Sequence, residues 1–283
     1  MDTQIAHEQI GELVCWRIRH RGAQLLIAEQ GAQLLSYQRD DGPPLRGGIP
    51  VCWPWFGALE RNPDEVGGQY AGNSAPAHGL VRTLDWRLED IRQASDAVEI
   101  EFVFDTREQP LPEWPHTAEL RLLIRLDQRL HLKLTSHNHG LHPLFLSQAL
   151  HTYFAVSDIR EVHVEGLHGC RYIETLEDWQ ARLQQGPVNF TGETDRIYLG
   201  VPSQVCVRDP QWQRRIHVMS SGSQSAVVWN PWIGKSRFLS QFAADAWTGM
   251  LCIETANVLD DRIELLPGAA HTLAVSLWES QLE

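Results

Sequence analysis

Apolar and polar side chains alternate with a period of two along most of the chain. Ile100, Phe102 and Phe104 alternate with Glu101 and Val103, and Leu132 and Leu134 with His131, Lys133 and Thr135; Leu273, Val275 and Leu277 repeat the pattern near the C-terminal end. Successive side chains of a strand point to opposite faces, so each of these runs predicts a half-buried strand. Only Asp127, Gln128 and Arg129 separate the runs Leu120 to Leu126 and Leu130 to Thr135, a spacing suited to a hairpin. Helical periodicity is scarce. Its best instance is Glu174 to Gln185, where Leu176, Trp179 and Leu183 fall at helical spacing before Gly186-Pro187. Many strands punctuated by Gly, Pro and Asn predict an all-β fold, a large antiparallel β-sandwich with few short helices. No internal repeat, low-complexity tract or linker-like shift divides the sequence, so residues 1–283 read as a single domain.

One strand carries an unusual residue. In Met250-Leu-Cys-Ile-Glu-Thr-Ala-Asn257 alternation places Leu251, Ile253 and Thr255 on one face and Cys252, Glu254 and Ala256 on the other. A carboxylate between two small side chains costs free energy unless it is paired, and the same desolvation makes it a stronger base. Glu254 is therefore the first candidate for chemistry, the alternative being a strand whose Glu254 simply faces solvent.

The charge balance narrows the function classes. Thirty-six acidic residues against 24 basic ones give a net charge of −12, which opposes the neutralisation of many nucleic-acid phosphates. Lys133 and Lys235 are the only lysines, so the basic chemistry is mostly arginine. Cys15, Cys52, Cys170, Cys206 and Cys252 form no CxxC pair, which suits free thiols in a reducing compartment. The N-terminal residues show no basic segment followed by an apolar run, and no apolar stretch has the length of a membrane span. A cytoplasmic protein with no nucleic-acid or membrane partner is expected, and a monomer, since nothing demands assembly.

Several further stretches are dense in special residues. Arg46-Gly-Gly-Ile-Pro-Val-Cys-Trp-Pro-Trp-Phe-Gly57 combines an arginine with two glycines, which suits an anion site; taken alone the segment reads better as a turn entering a buried aromatic strand with Arg46 solvated. Loop-like sequence runs from Arg61 to Pro76. In His78-Gly-Leu-Val-Arg82 a histidine and an arginine flank a flexible glycine, and read as a strand Val81 to Trp86 puts Arg82, Leu84 and Trp86 on one face. They could bind a polar ligand or cap that strand. His137, His139 and His142 invite a metal reading, but no neighbouring carboxylate or thiol completes a ligand set and Asn138-His139-Gly140 reads as a turn. His151 and Tyr153 share a face opposite Leu150, Thr152 and Phe154, as a hydrogen-bonded core pair or as a proton donor beside an aromatic wall. Asp195 stands just before a strand, as a turn residue, a partner for Arg196 or a further carboxylate of a site. Trp229-Asn-Pro-Trp232 leaves a strand for a loop bearing Lys235, and indole faces suit the C–H surfaces of sugars.

Taken in order, Arg46 to Gly57, His78 to Arg82, His151-Thr-Tyr-Phe154, Asp195-Arg196, Trp229 to Trp232 and Cys252-Ile-Glu-Thr-Ala-Asn257 resemble the hexose-6-phosphate mutarotase branch of the aldose 1-epimerase superfamily. The likeness runs from about residue 46 to the end. The usual His-Gly-Phe-Ala-Arg of that family is His78-Gly-Leu-Val-Arg82 here, which spares both polar residues. The resemblance implies a galactose mutarotase-like sandwich with its cleft on one sheet. It further implies Glu254 as general base, His151 as general acid, and Asp195 and His78 as supporting groups on the sugar. Arg46 and Arg82 are implied to bind the 6-phosphate, with Lys235 within possible reach. Exchange of α and β anomers involves no redox step or group transfer, so neither metal nor organic cofactor is expected, and the partner is a small phosphorylated sugar. The competing expectations are a noncatalytic carbohydrate-binding domain and a mutarotase for unphosphorylated sugars.

Overall fold

The computed structural model describes residues 3–40, 42, 48–240 and 242–282. Among these residues, strands of alternating burial build two large antiparallel sheets, and the α-helices are the short segments Asp64–Gly67 and Trp232–Ser236. The back sheet has nine strands in the order Val188–Asn189, His163–Glu165, Gln204–Asp209, Arg214–Ser221, Ala270–Gln281, Leu130–Asn138, Ala118–Leu126, Val98–Asp105 and Arg87–Gln93. The front sheet runs Gln180–Leu183, Arg171–Glu174, Thr194–Leu199, Ser225–Asn230, Met250–Asn257, Gln148–Leu150 and Val51–Cys52, with Tyr153–Ala155 also pairing with Met250–Asn257. A meander from Gln4 to Arg39 forms a separate four-stranded sheet.

The hairpin around Asp127–Arg129 forms as expected, because Ala118–Leu126 and Leu130–Asn138 pair directly and bury every second residue. Phe102, Leu122, Leu134 and Val275 of the back sheet share one core with Leu251, Ile253 and Phe154 of the front sheet. The opposite face of the front sheet holds a second apolar cluster with Cys52, Ile197, Val227 and Ala256. Glu254 belongs to this second face. The period-two pattern of Met250–Asn257 thus separates core residues from cleft residues, and all eight of its side chains are buried.

Some expectations give way. Glu174 to Gln185 is no helix: Arg171–Glu174 and Gln180–Leu183 form a hairpin whose turn holds Asp178 at φ 51° and Trp179 at φ 58°. Two of the three apolar residues that suggested a helix, Leu176 and Leu183, are exposed, so a helix there would have no apolar stripe to bury. Val81 to Trp86 is a series of turns rather than a strand, pinned by Gly31 N–H to Leu84 O at 2.7 Å and by Trp86 N–H to Glu29 O at 2.9 Å. Asp195 lies within the strand Thr194–Leu199 and not before it. Part of the segment after Arg61 coils into Asp64–Gly67, and the loop carrying Lys235 is the short helix Trp232–Ser236. At His137 and His139 the rings stack 5.8 Å apart, while Asn138 organises the turn by accepting Gly140 N–H at 2.8 Å.

Gly79 couples this scaffold to the site. It adopts φ +80° beside the strand Val51–Cys52, and a Cβ there would stand 1.9 Å from Trp53 O. Leu80 N–H donates to the same carbonyl at 2.8 Å, so the approach is fixed. Gly79→Ala is expected to lower stability by about 2–4 kcal/mol, through the left-handed backbone and the clash together. Urea unfolding measures this, and a loss under about 1 kcal/mol would show that the loop can move aside.

Candidate active site

Two hydrogen-bonded side chains hold Met250–Asn257 at its ends. Asn230 Nδ2 donates to Trp247 O at 2.9 Å and Met250 O at 2.8 Å, while its Oδ1 accepts Trp232 N–H at 2.9 Å. At the other end Asn257 Nδ2 donates to Gly222 O at 2.9 Å, and Gln148 Nε2 donates to Asn257 Oδ1 at 3.1 Å. Glu254, midway between them and opposite Val227 of the neighbouring strand, is 1 % exposed. It does not face solvent.

His151 meets it because the adjacent strand breaks after Leu150. His151 N–H turns to Pro50 O at 3.0 Å and Tyr153 N–H to Gly48 O at 3.1 Å before pairing with Met250–Asn257 resumes at Tyr153. His151 Nε2 then lies 3.3 Å from Glu254 Oε1. Glu254 Oε2 and His151 Nδ1 are buried without a hydrogen-bond partner. Among the described residues that line the cleft, Glu254 and His151 alone carry such an orphaned atom, and they are the two best suited to proton transfer. Burial first, and the Asp195 charge second, hold the Glu254 carboxyl well above the usual carboxylate range. Burial, with His78 and the Arg82 charge, holds His151 well below the usual imidazole range. Both shifts favour an uncharged pair sharing one proton.

The remaining walls are ordered around this pair. The His151 ring stacks on Tyr153 at 4.7 Å with 12° between planes, and Trp229 stands edge-on to both at 6.3 Å. The His78 ring lies 5.4 Å from that of His151. Its Nδ1 accepts Gly57 N–H at 3.3 Å and lies 3.5 Å from Cys52 Sγ, so the neutral ring carries its proton on Nε2. Burial, reinforced by Arg82, pushes His78 down to about 4, so it stays a neutral donor near pH 7. Asp195, half-buried on Thr194–Leu199, the strand beyond Ser225–Asn230, is pushed up by burial while the charge of Lys235 pulls it down.

The cleft encloses about 540 Å³, and Glu254, His151, His78, Asp195 and Lys235 all line it. Lys235 Nζ also lies 3.6 Å from Glu193 Oε1. Arg82 is half-buried and not part of the lining, yet its charge acts on Cys52, His78, His151, Tyr153 and Glu254. Arg46 lies outside the described residues. Other lining residues carry no signal in the sequence: Arg61, Asn62, Thr175 and Leu259. Trp179 also lines it, but the helical reading gave it no role in a site. Among the described residues, no group of three or more His, Cys, Asp or Glu side chains is arranged to hold a metal ion. The arrangement can exchange a proton between two points of a bound molecule, with an aromatic wall and neutral and acidic hydrogen-bonding groups around it.

Residues 42–278 match the aldose 1-epimerase family. A protein of Cenchrus ciliaris, provisionally named glucose-6-phosphate 1-epimerase, is 33% identical over 277 residues, covering 88% of this chain and 80% of its own. One from Escherichia coli K12 with the same provisional name is 31% identical, covering 89% of this chain and 86% of its own. The crystal structure of a provisionally assigned mutarotase from Salmonella typhimurium superposes with a TM-score of 0.87 at 26% identity, over 98% of this chain and 94% of that one. A galactose mutarotase-like protein from Clostridium acetobutylicum shares the fold, with a TM-score of 0.80 at 16% identity and 99% coverage of both chains.

Proposed function

The chain belongs to the aldose 1-epimerase family of sugar mutarotases, and we propose that it interconverts the α and β anomers of a hexose 6-phosphate, glucose 6-phosphate being the first candidate. The observation that carries this reading is the Glu254–His151 pair, buried at the floor of a sugar-sized cleft with one orphaned atom on each partner.

In the proposed cycle the shared proton first passes from Glu254 to His151 across their 3.3 Å contact; Glu254 then removes the proton of the C1 hydroxyl while His151 gives one to the ring oxygen. The C1–O5 bond breaks, its electron pair goes to O5, and C1 becomes the aldehyde carbon. Glu254 is then protonated and His151 neutral, the uncharged arrangement that burial favours. Rotation about C1–C2 presents the other carbonyl face. On closure O5 attacks C1, His151 takes back the O5 proton, and Glu254 returns one to the carbonyl oxygen. Every proton stays within the pair, so no co-reactant is consumed.

His78 and Asp195 would hold the sugar hydroxyls, His78 as a donor and Asp195 as an acceptor. Arg46 and Arg82 are proposed to hold the phosphate, whose charge-assisted bonds anchor the substrate while its reacting end turns over. Two features support an anionic substrate: the names carried by the relatives at 28–33% identity and the arginine charge that reaches the catalytic pair.

Anomer-exchange NMR on glucose 6-phosphate tests the proposal, with kcat followed against pH. The active pair holds one proton. Protonation of His151 alongside protonated Glu254 ends activity on the acid side, and because the His151 pKa is depressed that limb falls below the ordinary histidine value of about 6.5. Loss of the last proton ends it on the alkaline side, above the ordinary glutamate value of about 4.3 because the Glu254 pKa is raised. We expect kcat to fall on both sides of the pH range in which the pair holds its single proton. Exchange that stays at the buffer rate would remove the enzymatic reading, and an acid limb centred at or above about 6.5 would remove the shared-proton mechanism.

A further inference from the structure

Among the described residues, the cleft lining includes one permanent cation that no carboxylate matches. Among the described residues the arginine and lysine side chains lining it are Arg61 and Lys235, and Lys235 is set against Glu193. Arg61 makes no ion pair among the described residues. Its guanidinium lies over the Trp179 indole, 5.2 Å from the ring centroid.

Both members of this contact are held from behind. Arg61 ends the single turn Leu59–Arg61, and the following Asn62 donates through Nδ2 to Phe56 O at 2.8 Å and Ala58 O at 2.9 Å, tying the turn to the cleft wall. Trp179 comes from the opposite wall, at the left-handed turn of the 171–183 hairpin, and packs on the apolar cluster beneath the cleft. A guanidinium resting over an aromatic ring keeps N–H groups for a ligand and has lost part of its side-chain freedom beforehand. Its planar edge matches two oxygens of a phosphate and has no comparable partner on a neutral hexose.

We propose that Arg61, exposed at the cleft rim with its guanidinium over the Trp179 ring, is a specificity-determining residue that selects anionic sugars by gripping the substrate phosphate. This rests on the phosphosugar reading of the preceding subsection. It also explains why the hairpin that replaces the expected helix reaches over the cleft: the hairpin delivers the ring that aligns the guanidinium. Trp179 acts here as a positioning residue.

The experiment compares glucose 6-phosphate with glucose by anomer-exchange NMR, using wild type, Arg61→Met and Arg61→Lys, with inorganic phosphate as a competing ligand. Arg61→Met should lower the ratio of kcat/KM for glucose 6-phosphate to that for glucose by about 10- to 100-fold, the range of a charge-assisted hydrogen bond. The loss should fall on KM, and the inhibition constant of phosphate should rise in step. Arg61→Lys should recover part of the ratio, since it restores the charge without the planar edge. A wild type that favours the phosphorylated sugar while Arg61→Met keeps that preference overturns the role of Arg61 alone. A wild type with no preference for the phosphorylated sugar overturns both this role and the phosphosugar reading.

Discussion

Glu254→Gln is expected to lower kcat for anomer exchange by about a thousandfold, within the 10²–10⁴ range typical of a positioned general base, while leaving the fold intact. The amide has the shape of the carboxyl it replaces, and its oxygen can still accept from His151 Nε2 across the 3.3 Å gap. It cannot take the C1 hydroxyl proton. Burial already favours the neutral carboxyl, so a neutral amide at a site 1 % exposed removes no stabilising charge. Thermal unfolding should therefore change little, and KM should move less than kcat, because the groups that hold the sugar are elsewhere. If the variant keeps more than about a tenth of the wild-type kcat, the base lies elsewhere, Asp195 being the next carboxylate in the cleft.

The parts of the molecule legible in the sequence are those governed by local period. Met250–Asn257 announces both its strand and the unusual face of Glu254 because alternation is a short-range property, and the strand's buried neighbours enforce it. The 118–138 hairpin is legible for the same reason. The place of Trp179 is not legible, because Leu176, Trp179 and Leu183 match a helix by spacing alone; a hairpin at the sheet edge leaves both leucines exposed, which no local pattern reveals. Arg61 left no signal at all. Its position depends on a single turn tied to Phe56 and Ala58 and on a ring delivered from over a hundred residues away.

Motifs that looked like candidate ligand contacts divide into two kinds once packed. Asn230 and Asn257 spend their amides on backbone carbonyls at the two ends of the Glu254 strand, so part of their contribution is to fix its register rather than to touch a ligand. A one-residue slip would turn Glu254 into the apolar core and bring Ile253 or Thr255 to the cleft. His78, by contrast, aims into the cleft because Gly57 and Cys52 occupy its other ring nitrogen. The cleft is thus a product of rigid sheet and tied loops, a suitable support for a reaction that needs two proton-transfer groups at a fixed separation.

His151→Asn should lower kcat by a similar factor, about 10²–10⁴, and combining it with Glu254→Gln should slow the enzyme little further. The reason is the shared proton. Ring opening needs a base at O1 and an acid at O5 together, and closure needs the same two groups with their roles reversed. Removing either partner interrupts both transfers, so the second removal finds nothing left to break. Independent contributions would instead multiply, giving a double variant about a thousandfold slower than either single one. Sugars also change anomer unaided, so the three variants are compared at high enzyme concentration with the buffer rate subtracted. Loss of the Tyr153 stack makes His151→Asn less stable than wild type by about 1 kcal/mol, and thermal unfolding separates that effect from the chemistry. Single variants that each fall a thousandfold with a double variant within about threefold of the slower one would establish the two side chains as one catalytic unit; multiplicative losses would assign their protons to separate partners.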